Sequence, residues 1–279
     1  MKRIVFLALL SGTSATPAFA QDPHAGHVMP PPSTVGDAPP PAVIRDGAVD
    51  RFYGTAAMDR ARAMLADEHG GAPTSKVMAN IVEYAAVDEG SGYRWDLEAW
   101  YGGDIHRFVF KSEGEGVQGD GATRAEAQAL YSRAIGRYTD VQAGVRYDFE
   151  PQGRAYATVA VESLLPYWIE LEAAAFLSDR GDAFGRLEAS HDLRFTQRLI
   201  LQPRIELEIA AQDVPESGTG SGVSSAELGL RLRYDVRREF APYIGVNFQK
   251  SFGETADFAR AAGEDEEETS FVVGLRAWF

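Results

Sequence analysis

From about residue 77 to the C-terminus, apolar and polar residues alternate with a period of two, the signature of strands with one apolar face. In LILQPRIELEIAAQ, Leu199, Leu201, Ile205, Leu207 and Ile209 point one way, and Gln202, Arg204, Glu206 and Glu208 the other. In AFGRLEASHDLRF, Leu187, Ala189, Leu193 and Phe195 oppose Arg186, Glu188, Asp192 and Arg194. In SSAELGLRLRYDV, Leu228, Leu230, Leu232 and Tyr234 oppose Glu227, Arg231, Arg233 and Asp235. YRWDLEAWY, VQAGVRYDF and WIELEAAAF repeat the pattern. A soluble sandwich with its charges outside would also alternate. The runs are too long for that: many reach about ten residues, where soluble strands cluster near five or six and a tilted membrane strand needs about 9–11.

About twelve such strands are predicted, an even number that suits an antiparallel transmembrane β-barrel. The connections segregate. Gly102-Gly103-Asp104, the region near Arg137 to Asp140, Leu165-Pro166, Thr196-Gln197-Arg198 and Glu239-Phe240-Ala241 read as short turns on one side. SEGEGVQGDGAT, DVPESGTGSG and ETADFARAAGEDEEE read as long polar loops on the other. The last strand, TSFVVGLRAWF, ends on Phe279 and looks like the recognition end of bacterial outer-membrane barrels.

The N-terminal quarter has no period of two. Residues 1–20 carry Lys2 and Arg3, the apolar run Ile4 to Leu10, and Ala18-Phe19-Ala20, and so predict a secretory signal peptide cleaved after Ala20. Residues 21–52 hold seven of the fourteen prolines and predict an extended, mobile leader. Residues 53–75 contain TAAMDRARAMLADEHGG, a single short helix with Thr55 at its start and Gly70-Gly71 at its stop. Residues 76–279 form the barrel, so the fold class is all-β, with a Pro-rich linker and one short helix in front.

Charge and chemistry narrow the function. Removing Lys2 and Arg3 with the signal leaves 25 Lys plus Arg against 41 Asp plus Glu, a formal −16, the wrong sign for a nucleic-acid partner. No cysteine is present, so thiolate metal sites and thiol nucleophiles are excluded. The inward face interleaves acids with arginines: Arg94, Asp96, Glu98, Arg146, Asp148, Glu170, Glu172, Arg186, Glu188, Arg204, Glu206, Glu208, Arg231, Arg233, Asp235 and Arg276. That pattern predicts mutual pairing across the lumen before a cation path. No enzyme is expected: Ser190 and His191, adjacent on a strand, face opposite sides and cannot share a proton. His106 and His191 read as girdle residues.

The metal-type candidates lie before the strands. His24, His27 and Met29 fall within six residues, a borderline-and-soft set suited to copper, Cu(I) in particular. His24 is at mature position four and follows Pro23, so an amino-terminal copper chelate is not expected and binding rests on side chains. Met58, Met64 and His69 lie on or just after the helix, with a 58-to-64 spacing poor for one helical face.

YGGDIHRFVFKSEGE, ALYSRAIGRYTDVQAGVRYDF, LLPYWIELEAAAFLS, TQRLILQPRIEL, and GLRLRYDVRREFAPYIGVNF followed by FGETADFARAAGEDEEETSFVVGLRAWF resemble the copper resistance protein B family over roughly residues 76–279. YGTAAMDRARAMLADEHGG resembles that family's helical lead-in. The resemblance implies a bacterial outer-membrane protein that binds copper as cargo, sequestering it or helping its export, with outer-membrane lipid around it and a periplasmic multicopper oxidase as partner. It places His24, His27 and Met29 in the family's His/Met-rich leader, here a short one, which shifts weight to Met58, Met64 and His69. The alternative is a general outer-membrane pore without metal specificity.

Overall fold

The computed structural model describes residues 47–69, 72–87, 90–119 and 121–279. Two helices precede the sheet: a single turn, α1 (Asp50–Tyr53), and α2 (Thr55–His69). Thr55 is the first helical residue and not a cap ahead of it; Gly54, at φ 78°, makes the break from α1.

Twelve antiparallel strands follow: β1 (Thr74–Val87), β2 (Gly90–Gly102), β3 (His106–Val117), β4 (Gly121–Ala134), β5 (Thr139–Glu150), β6 (Arg154–Leu165), β7 (Ile169–Ser178), β8 (Ala183–His191, resumed after Asp192 by Leu193–Arg194), β9 (Leu199–Ala210), β10 (Gly222–Tyr234), β11 (Phe240–Ser251) and β12 (Glu267–Trp278). Each pairs with its sequence neighbours, and β12 returns to β1 with Met78 opposite Trp278 and Ala86 opposite Phe271. Phe279 finishes the seam, its N–H donating to Val77 O at 2.9 Å and its carbonyl accepting from Val77 N–H at 3.0 Å. The barrel is closed, so every strand has a partner on both sides.

Its polarity is inverted relative to a soluble protein. Glu83, Lys111, Glu126, Arg186, Arg204 and Arg231 are buried, while Phe110, Val145, Val159, Leu230, Ile244 and Phe271 are exposed on the outer face. A sandwich with outward charges is thereby excluded. Among the described residues no helix is long and apolar enough to cross a membrane; the strands supply the apolar surface.

One end of the barrel, the turn end, carries the N-terminus of β1 and the brief connections 103–105, 135–138, 166–168, 195–198 and 235–239. Aromatic rings rim it. Tyr167 and Trp168 project outward at 85% and 72% exposure, although both adopt left-handed backbone (φ 66° and 62°). His106 stacks on Tyr131 at 5.8 Å on the same outer rim.

The opposite, loop end has the long connections 211–221 and 252–266, the latter containing α3 (Gly253–Ala262). Thr255 Oγ1 accepts Gly220 N–H at 2.8 Å, and Gln152 Nε2 donates to Glu216 O at 3.2 Å, tying three loops together. The third expected long loop does not exist. SEGEGVQGDGAT continues the ladder, with Glu113 opposite Glu126 and Val117 opposite Gly121. Its glycines serve the sheet: a Cβ on Gly114 would lie 2.2 Å from the Trp95 ring, and one on Gly116 2.6 Å from that of Tyr93. The rings of β2 occupy the space that side chains on β3 would fill.

Candidate functional site: the charged lumen and its mouth

Period-two alternation on twelve strands sends the polar half of the sequence into the lumen. Toward the loop end these side chains meet. Arg204 forks onto Glu188 with two bonds of 2.7 Å and also reaches Glu206 at 2.5 Å and Glu227 at 3.1 Å. Arg94 pairs with Glu227 and lies 3.4 Å from Glu206. Arg186 contacts Glu113 and Glu126, each at 2.9 Å, and Arg146 bridges Glu126 at 2.8 Å and Asp148 at 2.6 Å. Arg124 pairs with Glu208. Arg186 also lies 3.6 Å from Glu206 and 3.7 Å from Glu208, so five arginines and seven carboxylates form one connected mesh across the barrel. Beside it, Glu83 accepts two 3.0 Å bonds from Arg231, one of 3.0 Å from Tyr243 Oη and one of 3.3 Å from Asn247 Nδ2.

The expected pairing is therefore present, and it involves more residues than the sequence pattern identified. Glu83, Lys111, Glu113, Arg124 and Glu126 belong to the lumen but lie in strands whose alternation is diluted by alanine and glycine. Inward parity on β3 and β4 was the available signal for four of them; Glu83 turns inward only because a β-bulge between Ala79 and Val82 switches the parity set by Lys76 and Met78.

Toward the turn end the lumen opens into a vestibule of about 980 Å³. Lys111 Nζ holds Glu162 at 2.5 Å and Glu172 at 2.7 Å on its wall. Asp96 and Glu98 face it as well, and Met78 projects in from β1. Arg107 lies 4.7 Å over Trp100 and 3.8 Å from Asp140 at the lip.

Of the predicted metal-type residues, Met58 and Met64 do not line the vestibule. His24, His27 and Met29 lie outside the described residues. Met58 and Met64 sit on α2 on different faces, Met58 half-buried and Met64 62% exposed. The backbone of His69 closes α2. Among the described residues, no group of three His, Asp or Glu side chains is arranged to hold a metal ion. Among the described residues Met78 is the one methionine that lines the lumen, two positions from the inward Lys76. Ser190 Oγ donates to Glu170 at 3.4 Å while His191 Nδ1 meets Trp168 O at 3.2 Å, so the two do not form a dyad.

The family model for copper resistance protein B precursor matches residues 73–279. A copper resistance protein B homolog of Pseudomonas syringae pv. tomato is 43% identical over 212 residues, covering 76% of this chain and 72% of the relative. Copper resistance protein B of Escherichia coli is 37% identical over 286 residues, covering 95% and 93%. Similar solved structures include the NanC porin (TM-score 0.48, 13% identity, covering 73% of this chain and 99% of that one) and the KdgM porin (0.43, 12%, covering 74% and 99%). With the family matched across the whole barrel, and two relatives above one-third identity over most of their length, the chain belongs to the copper resistance protein B family.

Proposed function

We propose that this protein sits in the bacterial outer membrane and contributes to copper resistance by binding periplasmic copper, sequestering it or helping its export. Family membership over residues 73–279 is the observation that carries the reading. The apolar outer face and aromatic rim suit a bilayer. A signal peptide cleaved after Ala20 would deliver the chain there, and the turn end would face the periplasm, as short turns do in such barrels. Copper is cargo. His24, His27 and Met29, with Met58, Met64 and His69, are its proposed ligands, all on the N-terminal side of β1, the strand that begins at the turn end. A periplasmic multicopper oxidase would be the partner at that end.

The test is copper titration of the full mature chain against His24→Ala/His27→Ala/Met29→Ala. Affinity or stoichiometry should fall; unchanged binding would move the site to Met78 and the vestibule carboxylates. A general pore is the second reading, favoured by the vestibule alone. The mesh on its inner side opposes it, because ions would have to displace paired charges to pass.

A further inference from the structure

Next to the vestibule, whose wall mixes carboxylates and cations in nearly equal number, the turn-end mouth has a second compartment, also about 980 Å³, sharing Lys76, Met78 and Arg276 with it. Its wall is one-sidedly basic. Lys76, Arg194, Arg198, Arg237, Arg238 and Arg276 line it. Asp192 and Asp235 are its carboxylates, and Arg233 takes both, at 2.7 and 3.2 Å. Among the described residues, none of the six other cations has a carboxylate within ion-pair distance. Lys76 rests 5.3 Å over the Trp278 ring instead.

Such a cluster opposes the composition. The chain carries a formal −14, and elsewhere in the lumen acids outnumber the arginines they pair with. Six cations lining one compartment, with Lys76 and Arg276 half-buried, repel one another unless an anion lies between them. Arg233 adds an independent observation: it is 7% exposed, lines the compartment, and has an Nη1 without any hydrogen-bond partner. A buried, unsatisfied guanidinium N–H is an uncompensated donor until an acceptor arrives. Planar guanidinium forks match phosphate and carboxylate oxygens two at a time.

We propose that this compartment is a binding site for a small multivalent oxyanion, of phosphate or polycarboxylate type, taken from the aqueous phase. Lys76 and Arg276 project inward from β1 and β12, Arg233 is buried, and the arginines of 195–198 and 235–239 close the lip. The cluster therefore addresses the lumen before the surrounding lipid. It is distinct from the copper reading, and either can fail without the other.

The full chain, purified in neutral detergent without phosphate, is titrated calorimetrically with inorganic pyrophosphate. One saturable site is expected, weakened by added salt. Arg238→Gln/Arg276→Gln should weaken it about tenfold or more, as loss of two charge-assisted contacts requires. Neither side chain makes an ion pair in the fold, so the variant keeps its barrel, checked by heat-modifiable gel migration. Arg180→Gln, at the loop end, controls for net charge and should change nothing. Absence of saturable binding, or equal affinity in the double variant, overturns the site. A lipid source is separated by the second arm: if pyrophosphate fails to bind while phosphatidylglycerol co-purifies in an Arg238- and Arg276-dependent way, the soluble-anion assignment is wrong.

Discussion

Arg204 touches three carboxylates from three strands, so its replacement tests what the mesh contributes to stability. Arg204→Ala leaves Glu188, Glu206 and Glu227 facing one another with less compensation, and removing one partner of a buried pair costs about 3–5 kcal/mol. The expected outcome is a matching loss in urea or thermal unfolding followed by heat-modifiable migration; a loss under about 1 kcal/mol would show that water already screens the network. Glu83 is bound still more fully, with four bonds from Arg231, Tyr243 and Asn247. The inward direction of Arg204, Glu206 and Glu227 was readable from parity alone. Their partners were not, because period two fixes a face and says nothing about what stands across the lumen.

Single strands show where local reading fails. SEGEGVQGDGAT has the glycine and acid content of a loop, yet it forms the ends of β3 and β4. What holds it is a neighbouring element: Trp95 and Tyr93 on β2 lie over Gly114 and Gly116. Trp95 also donates from Nε1 to Ser112 at 3.2 Å, which fixes the ring there. Gly114→Ala would place a methyl within 2.2 Å of that ring and 2.7 Å of Arg124 O. Overpacking of this kind costs about 1–3 kcal/mol, and the displaced Trp95 should shift the tryptophan emission. Unchanged emission and stability would mean that the ring has another place to go. The turn 166–168 makes the same point in reverse. Its aromatic pair holds a left-handed backbone that costs of order 1–2 kcal/mol per residue, and the return is two rings at the outer rim, where amphipathic aromatics favour a bilayer interface.

For the whole molecule, the mesh and the mouth divide the barrel along its axis. The loop-side half is filled by paired charges and the turn-side half is open on two differently charged walls. Reconstituted in planar bilayers, the wild-type chain should conduct far less than an open porin, and Arg186→Ala/Arg204→Ala should raise the conductance several-fold. A wild-type conductance already at porin level would favour the general-pore reading.

The sequence by itself determined the twelve-strand count, the lumen-facing side of the strongly alternating strands, the short turns at one end, and the apolar face of the closing strand. These follow from period two and from the need to pair every backbone group in lipid, both properties readable one strand at a time. It did not determine that the lumen is meshed on one half and open on the other, or that an acidic chain gathers at one mouth six cations with no ion-pair partner among the described residues. Arg94 meets Glu227 across 133 positions and Arg231 meets Glu83 across 148. Such partners are chosen by the radius and stagger of the closed barrel, which no single strand contains.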